Sequence, residues 1–124
     1  MVSQGRAKRI AQRILEELSE ILRVDVTDPR LSDVYVTTVR VDRELAYANI
    51  FVSSLEGAAR KDEILEGFNS ASGYLRHQLA QKIQLRSFPR LRFNWDPSPE
   101  HVERIDQIIS SLKKDSENGS SKDE

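Results

Sequence analysis

The 124-residue chain contains no cysteine, which excludes disulfide bonds, thiolate metal sites and cysteine nucleophiles. No apolar run approaches the ~20 residues that a membrane-spanning helix needs, and nothing has the pattern of a secretion signal. The two histidines, His77 and His101, lie too far apart for a local metal motif. A chain of 124 residues has the length of one ordinary domain. Together, these features predict a single-domain, cytoplasmic protein without a metal site.

Motifs of common enzyme classes are missing as well. The five glycines never approach the spacing of a phosphate-binding loop, and no Gly-x-Ser-x-Gly nucleophile motif occurs. Asp62, Glu63 and Glu66 form a carboxylate cluster, but their helical spacing beside Arg60 and Lys61 is typical of a solvated helix face. We therefore expect a protein that is not an enzyme and that uses no cofactor.

The net charge of −1 hides an uneven distribution of charge. Residues 1–92 carry 15 Lys and Arg against 12 Asp and Glu, whereas residues 93–124 carry 4 against 8. Two segments have no acidic residue, and their cations are Arg6, Lys8, Arg9 and Arg13 in the first and Arg76, Lys82, Arg86, Arg90 and Arg92 in the second. Such a local excess in a near-neutral chain is typical of a surface that faces phosphates, although a scattered solvated face gives the same pattern.

Hydrophobic periodicity and turn residues predict the secondary structure. In chain order we expect a helix over residues 4–23, a short turn capped by Asp28 with Pro29 at its first position, strands over 34–41 and 45–53, helical residues 58–84, a strand over 88–95 and a helix over 98–112 capped by Ser98. Polar and charged residues from 115 to 124 predict a disordered tail.

The helical stretch 58–84 has a weak point at residues 69–73, Asn-Ser-Ala-Ser-Gly. Glycine costs about 1 kcal/mol inside a helix, and serine and asparagine compete for backbone hydrogen bonds. We therefore expect two helices that meet at a kink formed by Ala71, Ser72 and Gly73. The order is then α-β-β-α-kink-α-β-α, an α+β two-layer sandwich whose helices cover one face of a three-stranded sheet.

Two helices that meet at a joint of small residues between two strands resemble the core of the type II K-homology fold, which binds RNA at a Gly-x-x-Gly joint. Further segments, in order and over about residues 6–112, closely resemble the ribosome-binding factor A family. They are Asp28-Pro29-Arg30-Leu31, Leu45-Ala46-Tyr47-Ala48, Phe51-Val52-Ser53, Ala71-Ser72-Gly73-Tyr74-Leu75-Arg76, Leu85-Arg86, and Pro89 before Leu91, Phe93 and Asp96.

The resemblance implies a function in assembly of the small ribosomal subunit. Members of the family bind free 30S particles late in maturation, support processing of the 16S rRNA 5′ end, and leave before translation. They contact RNA at the 5′-terminal helix and the decoding region, and an assembly GTPase is a further expected partner. We expect a monomer, with residues 1–114 as a K-homology-like RNA- and ribosome-binding domain.

The candidate RNA-binding residues lie in the acid-free segments and at the joint. They are Arg6, Lys8, Arg9, Arg13, Ser72, Gly73, Tyr74, Arg76, Lys82, Arg86 and Arg90. For most of them a structural role is an alternative. Basic residues at the start of the first helix oppose its dipole, which favours an anionic partner or a frayed arm. For Arg86 the two alternatives are a contact with phosphate and a contact with the negative end of its helix. For Lys82 the alternative to RNA contact is packing of its aliphatic stem along an apolar surface.

Two residues near the joint have equally open roles. Arg76 falls near the apolar side of its helix, so an ion pair with Asp28 or Asp33 competes with RNA contact. Tyr74 can stack on a base or cover the joint. The alternative function for the whole chain is a small α+β protein-interaction module that forms a dimer through a sheet edge.

Overall fold

The order of elements in the chain is α-β-β-α-β. The computed structural model describes residues 1–99, 108–109 and 112. The elements are helix α1 (Gln4–Val24), a 3₁₀ turn (Pro29–Leu31), strand β1 (Val34–Val41), strand β2 (Tyr47–Ser54), a second 3₁₀ turn (Gly57–Arg60), helix α2 (Lys61–Lys82) and strand β3 (Arg90–Trp95). The predicted first helix, capped turn and first strand are confirmed. All three were predicted from the spacing of apolar residues and from turn residues within each segment.

The three strands form one mixed sheet in the order β1-β2-β3. Strand β1 runs antiparallel to β2, whereas β3 runs parallel to β2 after the crossover through α2. Ala48, Ile50 and Val52 of β2 alternate onto the face that the helices cover, and all three are fully buried. This confirms the α+β class, and the order of elements with a mixed sheet agrees with a type II K-homology-like fold.

The core lies between this sheet face and the two helices. The apolar stripe of α1 includes Ile14, Leu18 and Ile21, which have no exposed surface. Phe68 of α2 stacks on Phe93 of β3 with ring centroids 4.6 Å apart. Burial of these large apolar side chains is the main driving force for folding, and it fixes α1 and α2 side by side on the sheet.

Helix α2 runs without a break through residues 71–73, so the predicted kink and its division into two helices were wrong. Ile64, Phe68, Leu75 and Leu79 are all fully buried. Their steps of four and seven residues place them on one stripe of a single helix, and packing of that stripe overrides the low helix propensity of residues 69–73. The N-terminal part also differs from prediction, because residues 57–60 form a 3₁₀ turn before α2.

Gly67 of α2 lies where close packing against the first 3₁₀ turn leaves no room for a side chain. An added Cβ would lie 3.1 Å from Leu31 Cδ2 and 3.2 Å from Arg30 Cβ, tighter than ordinary contact. Gly67 therefore lets the first 3₁₀ turn approach the helix. Gly73 lies in the same helix, and an added Cβ there meets nothing within 4 Å.

The bounds of the second and third strands differ from the predicted ones for identifiable reasons. Strand β2 begins two residues late because Leu45 adopts a left-handed backbone with φ of 57°. The Asp42 carboxylate accepts hydrogen bonds from the backbone N–H groups of Ala46 and Tyr47, chiefly that of Tyr47, and they lower its pKa. Strand β3 begins at Arg90, since the carbonyl oxygens of the two preceding residues accept hydrogen bonds from a side chain of α2.

Most of the predicted last helix, residues 98–112, and the whole predicted tail, 115–124, lie outside the described residues. Ser98 and Pro99 are helical. The backbone that the Ser98 side chain is predicted to cap lies outside the described residues. The Asp96 carboxylate accepts a hydrogen bond from the Ser98 N–H at 2.9 Å. Of the predicted apolar stripe, Ile108, Ile109 and Leu112 are described, and each is more than half exposed.

Candidate nucleic-acid interface

The first half of α1 contacts the C-terminal end of α2 through Arg13. Its Nη2 atom donates a hydrogen bond of 3.1 Å to the carbonyl oxygen of Lys82, 69 residues away. Carbonyl groups in the last turn of a helix have no intrahelical partner and carry partial negative charge. The Arg13 guanidinium satisfies one of them and brings the basic segment of α1 to this point.

Glu17 joins the same contact. Its carboxylate lies 3.7 Å from Arg13 Nη2 and 3.8 Å from Lys82 Nζ. The side chains of Arg13 and Lys82 are still 52% and 41% exposed. Screening by water keeps such an exposed cluster weak, so both cations stay accessible to a stronger anion such as a phosphate.

Arg86 lies four residues beyond Lys82 and is exposed. Among the described residues, no hydrogen bond or ion pair involves its side chain. Arg6 and Arg9 precede Arg13 on α1 at steps of seven and four residues, so the three share one helix face. Arg13 contacts the end of α2, and the other cations are its face neighbours on α1 or lie at or just after the end of α2. We call this set the basic corner: Arg6, Arg9, Arg13, Lys82 and Arg86.

Lys8 lies apart from the basic corner. Together with Ala11, Gln12 and Val39, it lines a groove between α1 and strand β1, on the opposite flank of α1 from Arg13. The acid-free start of the chain, which looks like one basic cluster in the sequence, is therefore divided by the helix into two surfaces.

The predicted joint is a helical surface in the structure. Ala71 and Ser72 are partly buried, whereas Gly73 and Tyr74 are exposed, with 48% of Tyr74 accessible. From Gly73 to Lys82 the helix rises about 14 Å and turns through nine residues, so Gly73 lies on the opposite side of α2 from Lys82 and this surface is separate from the basic corner. Gly73 presents bare backbone there, since it has no side chain and no near neighbour.

Arg76 has a structural role, although it does not form the predicted ion pair with Asp28 or Asp33. Its guanidinium donates to the carbonyl oxygens of Phe88 and Pro89, with Nε 3.2 Å from the latter. Both carbonyls precede β3, so Arg76 attaches the start of that strand to α2. A partly buried side chain with these partners is poorly placed to bind phosphate.

The Asp28-Pro29-Arg30-Leu31 segment also has a structural role. The Arg30 guanidinium makes a two-point contact with the Asp28 carboxylate, 2.8 Å at its shortest, and this hydrogen bonding lowers the pKa of Asp28. Arg60 donates to the carbonyl oxygens of Pro29 and Arg30 at 3.1 and 3.0 Å. These contacts close the first 3₁₀ turn and attach it to the second 3₁₀ turn, directly before α2.

Arg90 and Arg92 lie on the sheet face that α1 and α2 leave uncovered. Strand alternation and pairing place residues of all three strands there. We call the part of this face nearest the start of β2 the open face, which comprises Arg40, Tyr47, Asn49, Phe51, Arg90 and Arg92. Towards the other end the same sheet face is covered, because Ser53 is fully buried.

Five members of the open face are not among the predicted candidate residues: Arg40, Tyr47, Asn49, Phe51 and Arg92. Of these, Arg92 is predicted only as a cation of the second acid-free segment. A signal for the three on β2 exists in the sequence, because they alternate with Ala48, Ile50 and Val52 and so point away from the buried side. The position of Arg40 depends on the hairpin register, which pairs it with Asn49. Turn chemistry at residues 42–46 sets that register.

Other kinds of site are not seen in the described part of the chain. No group of three or more His, Asp or Glu residues there could hold a metal ion. None of the helices described is long and apolar enough to cross a membrane.

Comparison with known proteins agrees with this architecture. The family model of ribosome-binding factor A matches residues 6–109. A ribosome-binding factor A from Coxiella burnetii is 42% identical over 117 residues, which cover 94% of this chain and 98% of the relative. The chain belongs to the ribosome-binding factor A family. The matched range includes every residue of the basic corner and the open face.

Solved structures of ribosome-binding factor A share the fold. The crystal structure of the Thermus thermophilus protein superposes with a TM-score of 0.65 at 22% identity, covering 72% of this chain and 93% of that one. A homology model of the Thermus thermophilus ribosome-binding factor A, fitted into a cryo-EM map of its complex with the 30S subunit, gives a TM-score of 0.56 at 24% identity. It covers 67% of this chain and 87% of that one.

Proposed function

We propose that this chain is a non-catalytic assembly factor that binds the free 30S ribosomal subunit in the cytoplasm. The observation that carries the proposal is the basic corner within a domain of the ribosome-binding factor A family. The likeness to the Thermus thermophilus protein fitted into a 30S complex supports the same partner. The chain acts during late 30S maturation and assists processing of the 16S rRNA 5′ end.

The basic corner fits ribosomal RNA because its cations are exposed and lie on α1, at the end of α2 or, for Arg86, in the segment that follows α2. Arg13 and Lys82 are fixed at the contact between α1 and α2, and Arg86 is free of partners among the described residues. Positive side chains that neutralise phosphates supply most of the affinity for nucleic acid without reading its sequence. The corner therefore sets the position of the protein on the 16S rRNA.

Residues Ser72, Gly73 and Tyr74 supply a further contact on α2, away from the basic corner. Exposed backbone at Gly73 allows close approach of an RNA strand, and the exposed ring of Tyr74 offers a base a stacking partner. Family resemblance supports the 5′-terminal helix of 16S rRNA and the decoding region as the RNA that is contacted. It also supports an assembly GTPase as a partner, and release before translation begins.

Sedimentation of tagged protein in a cell lysate tests the proposed partner. We expect the protein in fractions of free small subunits and not in fractions of translating ribosomes. Equal abundance in both would contradict a role in assembly. Nuclease treatment is the control, since small-subunit RNA should co-purify with the protein only before the treatment.

The same experiment tests a protein-interaction module as the alternative. Within the described residues β1 pairs with β2 only, so its outer edge is open to another strand. A dimer formed through this edge would sediment away from ribosomal particles and would survive nuclease. That result would favour the alternative over 30S binding.

A further inference from the structure

Two arginines on the open face lie over aromatic rings. The Arg92 guanidinium carbon is 3.4 Å from the centre of the Tyr47 ring, and that of Arg40 is 5.8 Å from the centre of the Phe51 ring. A guanidinium over a ring is attracted by the negative face of the π system. The distance of 3.4 Å between Arg92 and Tyr47 is a van der Waals contact, so the guanidinium rests on the Tyr47 ring and stays close to the sheet.

The donor groups of these arginines are available. Among the described residues, no carboxylate pairs with Arg40, Arg90 or Arg92, and their side chains donate no hydrogen bond. The carboxylates nearest in sequence are already occupied, because Asp42 accepts from the hairpin backbone and Asp96 accepts from Thr37 and Ser98. Within the part of the chain that the structure describes, the open face therefore combines three exposed cations with two rings and no acidic side chain.

We propose that the open face is a second RNA-binding surface, which takes an unpaired strand by stacking a base on the Arg92 guanidinium. Tyr47 covers one side of that guanidinium, and the outer side is left for a base. Arg40 and Arg90, on either side of β2, bind the flanking phosphates. The inference rests on the proposed function only in that its ligand is RNA.

Unpaired RNA is favoured over other anionic partners by the kinds of groups that this face presents. Bases stack on guanidinium planes as well as on aromatic rings, and such stacking tolerates any base. In-plane N–H groups of arginine match phosphate geometry. A duplex buries its base faces in its own stack and could use only the charges, so the stacking plane selects a single strand.

The open face is separate from the basic corner. The corner is formed by α1 and the end of α2, which lie on one side of the sheet, whereas Arg92 and Tyr47 point to the other side. One RNA could reach both surfaces only by passing around the edge of the sheet. Binding at the two surfaces can therefore be measured separately.

The test uses the full chain and a short oligouridine that carries one 2-aminopurine, whose fluorescence falls when it stacks. We expect the wild-type protein to quench this fluorescence. Arg92→Gln should weaken binding about ten-fold, because it removes both the plane and the charge. Arg92→Lys should keep affinity within about three-fold but abolish most of the quenching, because the charge stays and the plane is lost.

Arg23→Gln is the matched control, because Arg23 is an exposed arginine on α1 that pairs with Glu20 away from the open face. It should leave affinity and quenching unchanged. Equal quenching by wild type and Arg92→Lys would overturn the stacking proposal, as would equal affinity of wild type and Arg92→Gln. Thermal unfolding of each variant checks that all of them are folded.

Binding to purified 30S subunits, measured with the same variants, separates this inference from the proposed function. Wild-type binding to 30S without quenching of the oligonucleotide would overturn the inference and leave the proposed function standing. Quenching that depends on Arg92, in a protein that does not bind 30S subunits, would support the inference and contradict the proposed function.

Discussion

The Thr37 hydroxyl of β1 lies 2.5 Å from Oδ2 of Asp96, which directly follows β3, although β1 and β3 are not neighbours in the sheet. Thr37 is the extra residue of a bulge in β1, and it also contacts the carbonyl oxygen of Phe51 on β2 at 3.2 Å. The hydroxyl thus joins β1 to the end of β3 across the central strand. Its hydrogen bond is the main reason that the pKa of Asp96 lies below its usual value.

Thr37→Val should therefore destabilise the protein in a pH-dependent way. Loss of a hydrogen bond to a charged acceptor costs about 1.5–3 kcal/mol near neutral pH. The pKa of Asp96 is lower in the folded state, so its contribution is complete above the unfolded value of ~3.9 and is lost as the pH falls through the folded pKa. Urea unfolding should show a larger difference between wild type and variant at neutral pH than near the folded pKa.

Thr38→Val is the control for this prediction. Thr38 is the next residue of β1 and is also partly buried, but no side-chain hydrogen bond to it is found within the described residues. Its replacement should change the free energy of unfolding by less than about 0.5 kcal/mol at either pH. A difference for Thr37→Val that is the same at both pH values would show that the charge of Asp96 is not involved.

Gly67 and Gly73 of α2 should respond to alanine in opposite directions. At Gly67 the new methyl group meets Leu31 and Arg30, and overpacking should exceed the gain in helix propensity, with a net loss of about 1 kcal/mol. At Gly73 the methyl group has open space, so the variant should gain up to ~1 kcal/mol. The urea midpoints of both variants measure these changes. A loss of stability in Gly73→Ala would contradict the prediction and would indicate a strained backbone at Gly73.

Arg76→Gln tests whether this arginine serves folding or RNA binding. Removing the guanidinium leaves the carbonyl oxygens of Phe88 and Pro89 without their donor, so we expect a loss of about 1–3 kcal/mol in the free energy of unfolding. Binding to 30S subunits, measured below the melting temperature of the variant, should be unchanged. Weaker binding by a variant of wild-type stability would place Arg76 in the interface instead.

The sequence predicted well those elements that short-range patterns determine. Helix α1, the turn capped by Asp28 and strand β1 follow from apolar spacing and from Asp-Pro chemistry, and each lies where expected. The break at residues 71–73 was wrong because it was judged from local propensity alone. Burial of Phe68 and Leu75 on one stripe is a tertiary effect that propensity does not contain.

The candidate site shows the same division. The cations of the basic corner were predicted from acid-free segments, but their grouping depends on contacts between distant residues, such as that of Arg13 with the Lys82 carbonyl. The partners of Arg76 are backbone carbonyls, which have no signature in the sequence. The stacking of Arg92 on Tyr47 needs the register between β2 and β3, which α2 sets from outside both strands.

The salt dependence of binding to purified 30S subunits tests the central claim, that the basic corner binds ribosomal RNA. Arg86→Gln is compared with Lys61→Gln, which removes the same charge from the exposed N-terminal end of α2, about 30 Å from Lys82. Each lost phosphate contact lowers the slope of log affinity against log salt by somewhat less than ~1. We predict this reduction, with weaker binding, for Arg86→Gln and the wild-type slope for Lys61→Gln. Equal slopes and affinities for the two variants would contradict the account.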